Sequence, residues 1–99
     1  MSARIARGKG KLYQANSEQF VATINYRVHE ELTQEGNVGR WWGELTLMDN
    51  SHIHDGGGYT IELEDKRKGS CSLRRRINKA VISVPPRYFH LFQGIGPLE

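Results

Sequence analysis

Basic side chains near the carboxyl end of this 99-residue sequence are its strongest candidates for chemistry. They form two short runs, Lys66-Arg67-Lys68 and Arg74-Arg75-Arg76. Residues two apart on an extended strand point the same way, so Arg74 and Arg76 should project from one face. Clusters of lysine and arginine neutralise the phosphates of nucleic acids and nucleotides. We therefore expect an anionic ligand, if there is one, to contact Lys66, Arg67, Lys68, Arg74 and Arg76.

The distribution of acidic residues offers a different explanation for the same basic cluster. Residues 66–98 contain eight basic side chains and no acidic one, whereas residues 16–65 contain ten acidic and two basic side chains. Glu62 and Glu64 precede the cluster and could pair with the arginines across a hairpin. The hairpin register decides the outcome, because a slip of one residue moves a side chain to the opposite face.

One histidine string, His52-Ile53-His54-Asp55, resembles part of a metal site. Its two histidines would share a face in an extended chain, and its aspartate or Cys71 could complete a tetrahedral shell. The sequence has no second histidine pair at ligand spacing, and the string runs into three glycines, which is typical of a loop. We predict no bound metal and no cofactor.

The single cysteine, Cys71, bears on both catalysis and location. It alternates with apolar residues, and no sequence motif places a histidine base beside it, so we assign no catalytic residue and expect no enzyme. A lone cysteine cannot form an internal disulfide, and the first eight residues lack the apolar segment of a secretory signal. These features favour a soluble cytoplasmic protein without a membrane partner.

Trp42 is the candidate for an interaction surface. It follows Trp41 in a run of alternating residues, so one indole should face the protein interior and the other should face solvent. Trp41 shares its parity with Leu45 and Leu47, which leaves Trp42 on the outer side. Exposed tryptophan is common at protein interfaces, so we expect Trp42 either to contact a partner or to cover the open end of a barrel.

Period-two alternation predicts the elements that position these residues. It is clearest in residues 20–28, 41–48 and 59–63, and turn-forming residues separate the alternating runs. No segment has a helical period of useful length. The sequence therefore predicts an all-β fold, a small antiparallel barrel or sandwich of six or seven strands, as one domain over residues 1–97. Leu98-Glu99 is typical of a cloning remnant, and we give it no function.

The alternation also predicts which side chains form the core, because the apolar parity of each strand should face inward. One of the expected strands carries Ala80, Ile82 and Val84. The predicted core contains Phe20, Ile24, Tyr26, Trp41, Leu45, Leu47, Ile61, Leu63, Leu73 and Ile82.

The layout of the chain is similar to that of uncharacterised small bacterial β-proteins. The matching segments are spread over most of the sequence, and they are residues 8–13, Tyr26-Arg27-Val28, Gly43-Glu44-Leu45, the strand and turn from Ile61 to Arg67, and residues 92–97. The resemblance implies a stand-alone small β-domain and carries no activity or functional residue.

Two functions remain open at this point. The first is a non-enzymatic binding or assembly module that uses Trp42 and an exposed strand edge for protein–protein interaction or self-association. The second is an anion-binding module for nucleic acid or nucleotide that uses the basic residues of the C-terminal third.

Overall fold

The computed structural model describes residues 2–48, 53–77 and 88–99, and this part of the chain is built from six antiparallel strands without a helix. The all-β prediction is therefore confirmed. The expected strand around Ala80, Ile82 and Val84 lies outside the described residues. The strands are β1 (Ser2–Gln14), β2 (Phe20–Leu32), β3 (Val38–Leu47), β4 (Gly56–Glu62), β5 (Lys68–Ile77) and β6 (Tyr88–Ile95).

The strands close into a barrel in the order β1-β2-β3-β6-β5-β4. Two three-stranded meanders, β1-β2-β3 and β4-β5-β6, meet at two seams, where β1 pairs with β4 and β3 pairs with β6. Closure gives each of the six strands a partner on both sides over part of its length, which satisfies the backbone groups there. No helix in the described part of the chain has the length and apolarity of a membrane span.

The two seams are much shorter than the strands that form them. The first joins residues 11–14 of β1 to residues 59–62 of β4, and the second joins residues 42–45 of β3 to residues 90–93 of β6. β1 and β2, by contrast, pair along almost their whole length, from Ser2–Leu32 to Tyr13–Phe20. The first half of β1 therefore extends beyond the closed ring with β2 at its side.

Most of the predicted core is confirmed. Seven of the ten residues are buried, and Leu47 is half-buried against them. Ile82 lies outside the described residues. The predicted core did not include Leu12, Tyr59 and Phe92, which are buried and contribute further apolar area. The seven confirmed residues are Ile24, Tyr26, Trp41, Leu45, Ile61, Leu63 and Leu73.

Phe20 was predicted in the core and is exposed. The β1–β2 register shifts between Leu12, which pairs with Ala22, and Tyr13, which pairs with Phe20. The extra residue, Val21, forms a bulge that bends the strand. The bulge also exchanges the inward and outward directions of the side chains that precede Ala22. Phe20 consequently turns outward, where its ring meets Tyr13 edge to face at 5.9 Å between centroids.

Trp41 fills the gap where β3 and β6 separate beyond their seam. Its Nε1–H donates to the carbonyl oxygen of Gly96 at 3.0 Å. The indole lies directly over Gly69 and Gly94, where a Cβ atom would overlap the ring. These two glycines are therefore required for the position of Trp41. Leu98 is buried beside it in the same core cluster.

The last residue, Glu99, exchanges two backbone hydrogen bonds with Lys68, at 2.9 and 3.0 Å. Whatever the origin of residues 98–99, they pack against the barrel. The interpretation of them as a cloning remnant stays a prediction.

The core assignment predicts the effect of truncating inward and outward side chains. Ile24→Ala and Leu45→Ala should each lower the free energy of unfolding by about 2–5 kcal/mol, since each removes a fully packed side chain and leaves a cavity. Phe20→Ala should lower it by less than about 1 kcal/mol, because that ring is half in solvent. Urea titration followed by circular dichroism measures all three. A larger loss for Phe20→Ala than for Ile24→Ala would contradict the register of β2.

Candidate functional site

The structure divides the predicted anion-binding cluster between the two ends of β5. Lys66 and Arg67 lie in the β4–β5 turn and Lys68 begins the strand, whereas Arg74 and Arg76 lie near its other end. Arg74 lies six residue steps along the strand from Lys68, which corresponds to about 20 Å. The five residues therefore do not form one site.

At the end of the barrel that carries the β4–β5 turn, a buried carboxylate binds the guanidinium of Arg67. Glu30, on the inner face of β2, has no solvent exposure, and both of its oxygens accept hydrogen bonds from the Arg67 guanidinium. Arg4 donates to the same carboxylate from β1, through Nε at 3.0 Å and Nη2 at 3.3 Å. Arg67 also donates through Nε to Asp65 at 2.8 Å. One network thus joins β1, β2 and the β4–β5 turn.

The electrostatics of this network favour its charged form. Burial alone would raise the pKa of Glu30, but the hydrogen bonds from Arg67 and Arg4 outweigh burial and bring the pKa below its usual value. The contact with Glu30 raises the pKa of Arg67 further. Since its charge is matched by two carboxylates, Arg67 serves the fold at this end of the barrel.

The other two basic residues at this end of β5, Lys66 and Lys68, differ in whether an acidic side chain lies near them. The Nζ atom of Lys68 lies 3.8 Å from an oxygen of Glu62, its cross-strand neighbour. Lys66 is exposed and adopts a positive φ of 78°, which the tight turn requires. Only Lys66 of this group faces solvent without an acidic partner among the described residues.

Arg74 and Arg76 are exposed, and the two glutamates that the sequence offered as partners do not neutralise them. The register pairs Glu62 with Lys68, so Glu62 and Glu64 lie at the opposite end of β4 from both arginines. Within the described ranges, neither guanidinium has a carboxylate within ion-pair distance. Arg76 donates only to the carbonyl oxygen of Arg75, at 3.3 Å. The positive surface survives at this end of β5.

Arg75 differs from its two neighbours, because it lies on the inner parity at the end of the strand. Its backbone N–H donates to Asp55 at 2.8 Å, and its guanidinium lies 4.8 Å from the ring centroid of Tyr88. Asp55 therefore places one carboxylate close to the arginine end of β5.

Trp42 faces outward, as its parity predicted, with 39% of its surface exposed. Its indole stacks on the imidazole of His29, with the two planes 5° apart and the centroids at 5.6 Å. The guanidinium of Arg40 lies over the same indole at 5.8 Å. Because one face of the ring is already covered, the exposed remainder is held in a fixed orientation.

Trp42 and Arg74 belong to opposite sides of one groove, with a volume of about 1090 Å³. Trp42 of β3 lies beside Gln93 of β6, and Gln93 lies beside Ser72 of β5. Two strand spacings therefore separate the two sides, about 10 Å across the sheet. Leu91 lines the floor, with 39% of its surface exposed, and Asp55 lies on the rim beside Arg74. The groove combines an aromatic side, an apolar floor and a cation.

The residues considered for metal binding and catalysis are dispersed. His52 lies outside the described residues, His54 is exposed and Cys71 is fully buried. Burial raises the pKa of the Cys71 thiol to about 12, so it is not a thiolate at neutral pH. In residues 2–48, 53–77 and 88–99, no three His, Cys, Asp or Glu side chains converge.

Sequence reasoning missed Glu30 and His29, although each had a signal. Glu30 has the same parity as Ile24, Tyr26 and Val28, so alternation alone places it inside. An acid at an inward position implies a buried basic partner, but nothing in the sequence could identify that partner as Arg67. His29 has the outward parity, and its contact with Trp42 depends on the β2–β3 register.

Comparison with protein-family models found no match, and searches of curated sequences and of solved structures found no similar protein. The resemblance to small bacterial β-proteins thus stays a prediction, and the function rests on this structure alone.

The Glu30 network predicts a specific dependence of stability on pH. Since folding lowers the pKa of Glu30, its contribution is present above the unfolded pKa near 4.5 and is lost as the pH falls through the folded value. At pH 7, Glu30→Gln should lower the free energy of unfolding by about 3 kcal/mol, because it removes one partner of a buried pair. That difference should shrink as the pH falls below 4.5.

Urea titrations of both proteins across this range measure the effect. Glu35→Gln is the matched control, since Glu35 is exposed in the β2–β3 turn and should change stability by less than about 0.5 kcal/mol. A difference between wild type and Glu30→Gln that stays constant with pH would contradict the network.

Proposed function

We propose that this protein is a non-enzymatic interaction module that associates with a second copy of itself through the outer face around Trp42. The observation that carries the proposal is the fixed, half-exposed indole at the side of the groove. Tryptophan in such a position is the side-chain type that most often dominates binding energy at protein interfaces. Its stacking on His29 means that little side-chain entropy is lost on association.

Three further apolar side chains are exposed on the same outer face as Trp42. Ile5 of β1 and Trp42 lie on either side of His29 in one cross-strand row, and Ile5 is 59% exposed. On β6, Leu91 is a diagonal neighbour of Trp42, whereas Ile95 lies two residues beyond Gln93, where β6 has separated from β3. Diagonal neighbours in a sheet lie within reach of an aromatic ring. Ile5, Trp42, Leu91 and Ile95 are exposed side chains on this outer face, and His29 and Gln93 lie between them. We call this group the Trp42 face.

The charges that flank Trp42 on β2 and β3 are paired with one another, which supports a second copy as the partner. Arg40 forms an ion pair with Glu31 at 3.0 Å, and Arg27 forms one with Glu44. The surface around Trp42 is therefore close to neutral along β2 and β3, whereas Arg74 lies across β6 from it and is not in an ion pair with a described residue. A two-fold arrangement buries the same patch on both chains, which suits an aromatic centre with neutral charge pairs on β2 and β3.

This proposal predicts that association weakens when the indole is removed. Sedimentation velocity at increasing protein concentration should show a concentration-dependent dimer for the wild type. Trp42→Ala should weaken dimerisation by at least tenfold, because a central aromatic anchor is worth about 2 kcal/mol or more. Phe20→Ala is the control, since Phe20 is an aromatic residue that is more exposed than Trp42 and lies at the opposite end of β2 from His29.

Two results would contradict self-association through this face. One is a wild-type protein that stays monomeric up to millimolar concentration. The other is an equal loss of dimer in Trp42→Ala and Phe20→Ala.

A second candidate function is anion binding at the arginine end of β5, and one observation favours it. Arg74 and Arg76 project from the same face and have no carboxylate partner within the part of the chain that the structure describes. Arg74 lies in the same groove as Trp42, about two strand spacings away. A nucleotide could stack its base on the indole and place its phosphate near Arg74, as in single-strand binding sites.

This second function predicts salt-sensitive binding of single-stranded nucleic acid. Fluorescence anisotropy with labelled random-sequence DNA and RNA should show binding that weakens steeply as salt rises. Arg74→Glu with Arg76→Glu should abolish it, whereas Arg7→Glu with Lys9→Glu, which changes the net charge equally, should leave most of it. No binding at low salt, or an equal loss in both double variants, would contradict an anion site here.

A further inference from the structure

We propose that the free edge of β1 binds an extended acidic segment of a partner protein by adding it as a further strand to the sheet. This site shares Ile5 with the Trp42 face, and its backbone groups and its two cations lie outside that face. It consists of the backbone between Ala3 and Lys9 together with the outward side chains of Ile5, Arg7 and Lys9.

The backbone hydrogen bonds show where the edge becomes free. The N–H of Ala15 donates to Gly58 at 2.8 Å, and the pairs Tyr13–Thr60 and Lys11–Glu62 continue this β1–β4 ladder. The next pair would join Lys9 to Glu64. Glu64 instead donates its N–H to the hydroxyl of Tyr26 at 2.9 Å, and β4 leaves β1 at this point.

Beyond that point, β1 has β2 as its partner on one side alone among the described residues. Because the β1–β4 ladder uses odd-numbered residues of β1, the N–H and C=O groups of Ala3, Ile5, Arg7 and Lys9 point away from β2. A row of unpaired backbone groups on a strand edge is a template for another extended chain.

The side chains along this edge select the chemistry of the added strand. Ile5, Arg7 and Lys9 are exposed, and their parity places them on the outer face. Neither cation has a carboxylate within ion-pair distance in the described ranges. Arg7 faces Arg27, whose charge is already matched by Glu44, and Lys9 faces Asn25. Glu64, the acid beside this stretch, lies against the inner side of Gly8.

Charge also decides between the possible occupants of the edge. β1 contains no acidic residue, so a second copy pairing through β1 would gain no ion pair in any register. Registers that place Arg7 opposite Arg7 or Lys9 would be destabilised further by like charges. A strand with carboxylates opposite Lys9 and Arg7 gains two ion pairs. An apolar residue opposite Ile5 would cover exposed hydrocarbon. An antiparallel partner therefore has the pattern acid-x-acid-x-apolar, read from its amino end.

A synthetic peptide tests this site. The probe is an acetylated and amidated Thr-Glu-Thr-Glu-Thr-Val-Thr peptide, and the control replaces both glutamates with glutamine. In ¹⁵N-labelled full-length protein, the acidic peptide should shift the amide signals of Ile5, Arg7 and Lys9 and slow their hydrogen exchange. The glutamine peptide should bind at least tenfold more weakly.

Variants of the protein test whether the acidic peptide binds to Arg7 and Lys9. Arg7→Glu with Lys9→Glu should lose the acidic peptide and bind a peptide with lysines in place of the glutamates. Arg74→Glu with Arg76→Glu carries the same change of net charge and should bind the acidic peptide as the wild type does. Arg7→Pro should also lose binding, because it removes an outward N–H that β2 does not use.

Several outcomes would overturn the proposal. They are equal binding of the acidic and glutamine peptides, an equal loss of binding in the two charge-reversal variants, and shifts confined to residues outside β1. Dimerisation that Arg7→Glu with Lys9→Glu abolishes would show that the edge pairs with a second copy instead. If Arg7→Pro does not fold, the two charge-reversal variants and the two peptides still decide the question.

Discussion

The short seams of the barrel are the constraint on which the rest of the structure depends. β1 pairs with β4 and β3 pairs with β6 over four residue pairs each, whereas β1 and β2 pair over twelve. The ring closes, but the strands that form it are longer than the seams. Each seam consequently ends in a place where two strands separate, and each separation creates a feature with functional potential. Beyond one seam lies the free edge of β1, and beyond the other lie Trp41 and the groove beside Trp42.

The protein stabilises these two openings by different means. Where β3 and β6 separate, the apolar ring of Trp41 fills the space, and two glycines make room for it. Where β1 and β4 separate, the β4–β5 turn folds inward and its Arg67 meets the buried carboxylate of Glu30. A buried ion pair contributes less net stability than an apolar core of equal volume, but it is specific to one arrangement of the three elements. In this protein it fixes the turn against β2 and leaves the outer edge of β1 uncovered.

The sequence was sufficient to predict the class of fold, because alternation marks both the strands and their inward faces. It predicted seven core residues and the outward direction of Trp42 for the same reason. It failed at Phe20, since a bulge changes parity locally and has no signature in the residues around Val21. The sequence also could not predict whether acidic residues neutralise the basic cluster. That depended on pairing Glu62 with Lys68 instead of Arg74, which is a matter of register between strands and not of residue type.

The two tryptophans provide the most direct measurement of the central claim, that the outer face around Trp42 is an interface. In a ¹⁵N-labelled sample, the two indole Nε1–H signals can be followed as the protein concentration increases. The Trp42 signal should shift progressively as copies associate, whereas the Trp41 signal should stay constant, because its N–H is bonded to Gly96 inside the barrel. A Trp42 signal that does not change with concentration, or a shift of equal size in both signals, would contradict this account.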